Sequence, residues 1–292
     1  LKNAEELNFL TEHQYGGRQG REAIDVPVLQ AWQIEIFTLA RNNVAFTDCD
    51  AKACYDRIVP LALSLAQIQA GLPLEAAQFF LRTLQTLEYH LVTSYEATDK
   101  GISSTPQHLI YGTGQGATDA PPNWTLLANA CQKAYSKHSK GCSIVDPTGT
   151  IVQQAPGKMF VGDKNLMHNG HKPNPTAEEL MQYTTHDVTL WDRYIWITGG
   201  LIERLKTQYS LMVWTFSSKG APNITPERDL PPNTVQIQRP DYNSTVKRIA
   251  PEKAGKLIRV HTAPTQQNET EYKYLQKKIT KLLPALATCS AN

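Results

Sequence analysis

Two aspartates spaced two apart, Asp48 and Asp50, lie in Phe46-Thr47-Asp48-Cys49-Asp50-Ala51-Lys52-Ala53-Cys54-Tyr55-Asp56, a segment that opens as a strand. Side chains alternate along a strand, so both carboxylates point to one face. They repel each other unless water or a cation stands between them, and hard divalent ions take such oxygen ligands. Spacing alone leaves two readings open, an acid pair for a divalent metal or the solvated end of a strand. Other chemistry-bearing residues are less well placed. Cys49 and Cys54 have no second Cys or His pair at zinc-ligand spacing and read as packed, reduced thiols. His168 and His171 fall in a Pro/Asn-rich loop without a matching carboxylate. His186-Asp187 falls within a helix that offers no nucleophile, and reads as a surface pair. An unrelated hydrolase is disfavoured too, because no Gly-x-Ser-x-Gly elbow occurs.

The elements that must position the acid pair are of both kinds. Phe80, Leu84, Leu87, Leu91 and Tyr95 follow helical spacing after Pro73, which predicts a helix over about 74–96. A second helix runs from near Thr118 through Trp124, Leu127 and Ala134 and ends at Gly141. A third starts at Thr176, where Glu179 completes a capping box, and stops at Gly199-Gly200. Its Trp191, Tyr194, Ile195 and Trp196 are read as packing it on a sheet. Segments 44–50, 158–167, 207–216, 234–238 and 256–262 are rich in strand formers, and Pro, Gly and Asn gather at 141–157, 168–175 and 219–244 as loops. Long intervals between strands and two hairpin-like pairs disfavour a βαβ repeat. The expected class is α+β, an antiparallel sheet with helices on one face.

The chain has 292 residues, 41% hydrophobic and 19% charged, which describes a globular protein and excludes collagen, coiled coil and a disordered tail. No apolar run is long enough to span a membrane and no signal segment opens the chain, so the expectation is a soluble protein, intracellular, cytoplasmic or nuclear. Five cysteines fit a reducing compartment. Leu1 stands inside a helix-like pattern, and the chain reads as a piece of something longer. A net charge of +2 is weak, so any nucleic-acid footprint must be local. The last segment supplies one: Tyr272, Leu275, Ile279 and Leu282 form an apolar stripe beside Lys273, Lys277, Lys278 and Lys281.

Asp50-Ala51-Lys52-Ala53-Cys54-Tyr55-Asp56 resembles the first catalytic motif of reverse transcriptases from non-LTR retroelements and group II introns. There an Asp, a Lys, a small pair, an aromatic and a second Asp recur. Gly112-Thr113-Gly114-Gln115-Gly116-Ala117-Thr118-Asp119-Ala120-Pro121 resembles the second motif, a Gln-Gly leading through Pro into a helix. Phe160-Val161-Gly162-Asp163 stands where the third motif, an aromatic, any residue and two aspartates, belongs. Upstream, Gln14-Tyr15-Gly16-Gly17-Arg18-Gln19-Gly20-Arg21 resembles the fingers motif. Downstream, Gly199-Gly200 and Lys206 resemble the fourth motif, and Leu257-Ile258-Arg259-Val260 the strand before the thumb.

The resemblance implies a right-hand polymerase: a fingers portion over 1–45, a palm over 46–262 with a fingers-like helical segment at 59–110, and the start of a thumb over 263–292. It implies RNA-directed DNA polymerase activity of a retroelement, a retrotransposon nucleotidyltransferase. Its partners would be an RNA template, a DNA primer and deoxynucleoside triphosphates, with no membrane, and its cofactor two Mg²⁺ (or Mn²⁺) ions. Asp50 becomes a catalytic metal ligand, joined by the backbone carbonyl of Ala51, and Asp163, the second of the paired acids, is the catalytic carboxylate left to swing in as the other metal ligand. Lys206 protonates or neutralises the leaving pyrophosphate, and Arg18 and Arg21 hold the triphosphate. Tyr55 stacks under the incoming sugar, and Gln115 and Gly116 border the template and nascent pair.

The chain departs from the family where the mechanism is most sensitive. The first of the paired aspartates is the metal ligand, and this chain has Gly162 there. Glycine offers no side-chain oxygen, so one ligand charge is lost. The expectation is a polymerase of low or absent activity; the competing class is a non-catalytic nucleic-acid-binding remnant that keeps the fold and the basic helix.

Overall fold

The computed structural model describes residues 1–105, 107, 109–114, 117–146, 148, 150–154, 157–253, 255–257, 260–262 and 269–289. Five strands form the main sheet: Val44–Asp50 (β1), Lys158–Phe160 (β2), Asp163–His168 (β3), Gln208–Met212 (β4) and Lys247–Arg248 (β5). Their order is β5-β4-β1-β3-β2, antiparallel except that β5 runs parallel to β4. The expected strand 158–167 is therefore two strands. Val161, in the left-handed region at φ +54°, and Gly162 make the turn between them. The expected strand 207–216 divides likewise, into β4 and Trp214–Phe216, which pairs with Pro222–Ile224.

Seven α-helices accompany the strands among the described residues: Lys2–Glu6 (α1), Asp25–Ala40 (α2), Pro60–Gln69 (α3), Leu74–Thr86 (α4), Ala120–His138 (α5), Ala177–Ile197 (α6) and Glu269–Cys289 (α7). The class is mixed α and β. Helix α6 begins at the Thr176–Glu179 capping box that the sequence signals. Helix α4 stops ten residues short of the expected 96: Leu87 turns extended and Glu88–Tyr89 pairs with Ile102–Ser103. The reason is packing. Ala77 and Leu84 are buried, whereas Leu91 and Tyr95 are 63% and 95% exposed, so the apolar stripe beyond Thr86 meets no surface that would hold it helical.

Pairing register assigns each sheet residue to a face. Ala45, Thr47 and Cys49 lie opposite His168, Leu166 and Lys164 on one face. There α5 and α6 cover them with Trp124, Tyr135, Leu180, Val188, Trp191 and Ile195. The other face is divided. Val44, Phe46, Met167 and Met212 pack under Ile34 and Phe37 of α2 and under Cys142 and Ile144. Beyond them the same face carries Asp48, Asp50, Asp163 and Asn165. The expectation of helices on one face thus needs correction, because the apolar end of the second face also requires a cover and α2 provides it. Trp196 departs as well: it is 58% exposed while Trp191 and Ile195 are in the core.

Candidate active site

Asp50 ends β1 and lies directly across from Asp163, the first residue of β3; Asp48 lies across from Asn165. Directly opposed residues in an antiparallel pair share a face with Cβ atoms roughly 4.5–5.5 Å apart, so the two aspartates form one acidic row. The turn that delivers Asp163 is held from two sides. The indole Nε1 of Trp124 donates to the Val161 carbonyl at 2.7 Å, and the Ala51 amide donates to the Gly162 carbonyl at 2.9 Å.

A third segment closes the row. Residue Gly199 has φ +93°, and a side chain there would collide with the Arg57 carbonyl, so glycine lets the end of α6 dock on 57–59. From there the Lys52 amide donates to the Leu201 carbonyl at 2.8 Å and the Glu203 amide to the Asp50 carbonyl at 2.7 Å. That alignment brings the exposed Lys206 ammonium to Asp50 Oδ2 at 2.6 Å. The bond and the charge of Asp50 raise the Lys206 pKa above its ordinary value. Of the expected catalytic and metal residues, Asp50, Ala51, Asp163 and Lys206 therefore lie together. Among the described residues no three His, Cys, Asp or Glu side chains converge as a metal-binding group.

Asp48 sits one row behind, half-buried, and accepts from Asn165 Nδ2 at 2.9 Å. Burial pushes its carboxyl up to about 6, Asp163 adds to this and the Asn165 bond opposes it. The raised pKa makes the neutral form stabilising below about pH 4, and that contribution is lost as pH rises through 6. Asp48→Asn is therefore expected to match the parent at pH 4 and to exceed its stability by about 1–2 kcal/mol at pH 8, as read by denaturant unfolding. Equal pH dependence in both proteins would refute the assignment.

The remaining expected residues are placed differently. Tyr55 is half-buried against the sheet core, and its carbonyl accepts from Thr113 N at 2.9 Å. Its neighbour Gly112, at φ +97°, donates to Ile58 O at 2.7 Å and leaves no room for a Cβ, which would lie 2.6 Å from Asp56 Cα. The loop thus tracks the 55–58 segment, while Gln115 and Gly116 lie outside the described residues. Arg18 spends its fork inside the fold: Nε and one terminal nitrogen grip both Glu5 oxygens at 2.6 Å, and the other reaches the Thr11 and Gln14 carbonyls. Arg21 stacks over the Tyr15 ring at 4.8 Å. On α7, Tyr272, Leu275 and Ile279 are 67%, 46% and 56% exposed, and Lys273 pairs with Glu269 at 2.7 Å. No helix among the described residues is long and apolar enough to cross a membrane.

A buried polar cluster around Asp187 escaped the sequence reading. Asp187, read as a surface residue, is fully buried and accepts from His168 Nδ1 at 2.9 Å, His186 Nδ1 at 2.8 Å, and the Lys140 and Gly141 amides. His168 in turn meets Thr47 Oγ1 at 3.1 Å. The signal was available, since Leu180, Thr184, Asp187, Val188, Trp191 and Ile195 continue one buried helical stripe.

No protein-family model matches the chain, and no curated protein matches it. Among solved structures, it is similar to telomerase from Candida albicans in complex with the TWJ fragment of telomeric RNA, at 11% identity over 71% of this chain, TM-score 0.41. It is also similar to apo telomerase from Candida tropicalis truncated from the C-terminal domain, at 11% identity over 72% of this chain, TM-score 0.40. Telomerase from Candida tropicalis in complex with the TWJ fragment follows, at 12% identity over 72%, TM-score 0.38. The chain spans 33%, 39% and 32% of those three proteins.

Proposed function

We propose that this chain is the fingers, palm and partial thumb of a retroelement-type reverse transcriptase whose nucleotidyl transfer is weakened or lost at one metal ligand. The observation that carries the reading is the acidic row. Asp50 of the first motif and Asp163 of the third, 113 positions apart in the chain, are a cross-strand pair, and the Lys206 of the fourth motif bonds to Asp50.

The residues fit a divalent cation only in part. Asp50, Asp163 and the Ala51 carbonyl offer the oxygens that Mg²⁺ or Mn²⁺ takes, but the turn residue between the strands is Gly162. When bound, such a metal pair neutralises charge on the attacking and leaving oxygens of the phosphoryl group. In this chain Lys206 already compensates the Asp50 charge. Tyr55 is held by its own backbone beside the second-motif loop, where it lines the approach of the incoming sugar. Arg21 keeps its guanidinium free of Glu5, unlike Arg18, and is the better candidate of the two for a phosphate. The lysines of α7 would track the backbones of RNA template and DNA primer, and deoxynucleoside triphosphates would be the substrate.

The competing reading, a nucleic-acid-binding remnant without catalysis, is favoured by Gly162 together with the Lys206–Asp50 pair. Primer extension on an RNA template in Mg²⁺ and in Mn²⁺, with Asp50→Ala as the blank, tests the reading. The unaltered chain is expected to bind template–primer in a salt-dependent manner and to extend it little above the blank. Rapid extension abolished by Asp50→Ala would overturn the claim of weakening, and failure to bind at low salt would overturn both readings.

A further inference from the structure

A cavity of about 170 Å³ opens between the loop carrying Glu12, His13, Tyr15 and Arg21, the Leu29–Gln33 turn of α2, Gln153–Gln154 and Lys158 of β2. It contains two cations that have no carboxylate partner among the described residues. Lys158 is only 5% exposed, and its Nζ bonds to the amide oxygen of Gln33 and to no acid. Arg21 lies over the Tyr15 ring. The acid of the lining, Glu12, is 81% exposed and turns to His13 at 3.3 Å.

Buried charges in proteins are paired, and an ammonium whose only partner is a neutral amide leaves most of its desolvation uncompensated. Burial accordingly pushes Lys158 down to about 7, and burial, opposed by the charge of Glu12 and helped by Lys164, Lys158 and Arg21, pushes His13 down to about 4. The cavity is small and rich in donors: the Lys158 amine, the guanidinium fork of Arg21, a phenol and the amides of Gln33, Gln153 and Gln154. Drug-sized ligands occupy about 300–1,000 Å³, so this volume suits a single oxyanion and not a whole nucleotide.

We propose that this cavity is a binding site for a phosphate-type oxyanion, which supplies the counter-charge that Lys158 and Arg21 lack. The ion is either free inorganic phosphate or the 5′-terminal phosphate of an oligonucleotide. Lys158 stands on the sheet face that carries the acidic row, across from Asn165 and one row behind Asp163.

Inorganic phosphate titrated into the full chain by calorimetry, against chloride at matched ionic strength, tests it. Binding is expected, weakened about tenfold or more in Lys158→Met and in Arg21→Met, since charge-assisted bonds are the strong ones. Lys158→Met is expected to unfold at the same or a higher temperature than the parent in phosphate-free buffer, so lost binding there is not lost folding. A 5′-phosphorylated oligonucleotide that displaces phosphate, where its 5′-hydroxyl counterpart does not, supports the site and assigns the nucleic-acid end; displacement by neither, with phosphate bound, supports it as a site for the free ion. Absence of phosphate binding, or binding unchanged in both variants, would overturn the proposal.

Discussion

Gly162→Asp is expected to raise primer extension on an RNA template by on the order of 10²-fold or more over the unaltered chain, because a restored metal ligand contributes several kcal/mol of transition-state charge stabilisation. The position can receive the side chain. A Cβ at Gly162 would stand 3.6 Å from the Ala51 carbonyl oxygen, 3.6 Å from Cys54 Sγ and 3.7 Å from Ala51 Cβ, all ordinary contacts, and its φ lies outside the left-handed region. A carboxylate there starts beside Ala51 O, next to Asp50, where the expected metal ligands gather. The substitution should therefore change thermal stability little while changing rate much. Extension by Gly162→Asp that stays at the Asp50→Ala blank, with template–primer still bound, would mean that the site lacks more than one carboxylate.

Asp187→Ala is expected to cost about 3–5 kcal/mol of stability, since removing one partner of a buried, fully bonded ionic group strands the others. Four donors converge on this carboxylate, from His168, His186, Lys140 N and Gly141 N, and the Tyr135 hydroxyl lies against it. The network ties α6 to β3 and to the turn after α5, the elements that back the acidic row. Burial opposes ionisation of Asp187, but the bonds from His168, His186 and the Lys140 amide outweigh it and hold its carboxyl below the ordinary value. A depressed carboxyl contributes stability that is present above the unfolded pKa of about 4 and is lost as pH falls through the folded value. The gap between parent and Asp187→Ala should accordingly narrow below about pH 4. Asp187→Asn keeps one acceptor and is expected to lose less. A loss below 1 kcal/mol at pH 7 for the alanine variant, by denaturant unfolding, would refute the role.

Much of this was legible in the sequence because local rules and tertiary packing agree. The capping box at Thr176 and the alternation that puts Asp48 and Asp50 on one face of Val44–Asp50 each survive folding. Where the rules failed, a neighbour decided. Leu91 and Tyr95 keep helical spacing but have nothing to pack on, and α4 ends before them. His168, read as a loop residue without a carboxylate partner, ends β3 instead and meets Asp187, and Lys164, on the same strand and face, drew no reading at all. In the fold Lys164 is fully buried, its ammonium 5.2 Å and 5.0 Å from the ring centres of Tyr135 and Trp191, and burial lowers its pKa far below the ordinary value. At Arg18 a Gly-Arg loop suggests a ligand, and in the fold Glu5, thirteen residues upstream with no pattern linking the two, occupies its fork.

The central claim, that Gly162 removes a ligand from a metal site otherwise built by Asp50 and Asp163, is tested most directly by Mn²⁺ binding read by electron paramagnetic resonance. Weak binding is expected of the unaltered chain, binding at least about tenfold tighter of Gly162→Asp, and loss of that gain in Gly162→Asp/Asp50→Asn. Tight binding by the unaltered chain that Asp163→Asn abolishes would contradict it, because Asp163 would then already complete the site that Gly162 is held to have broken.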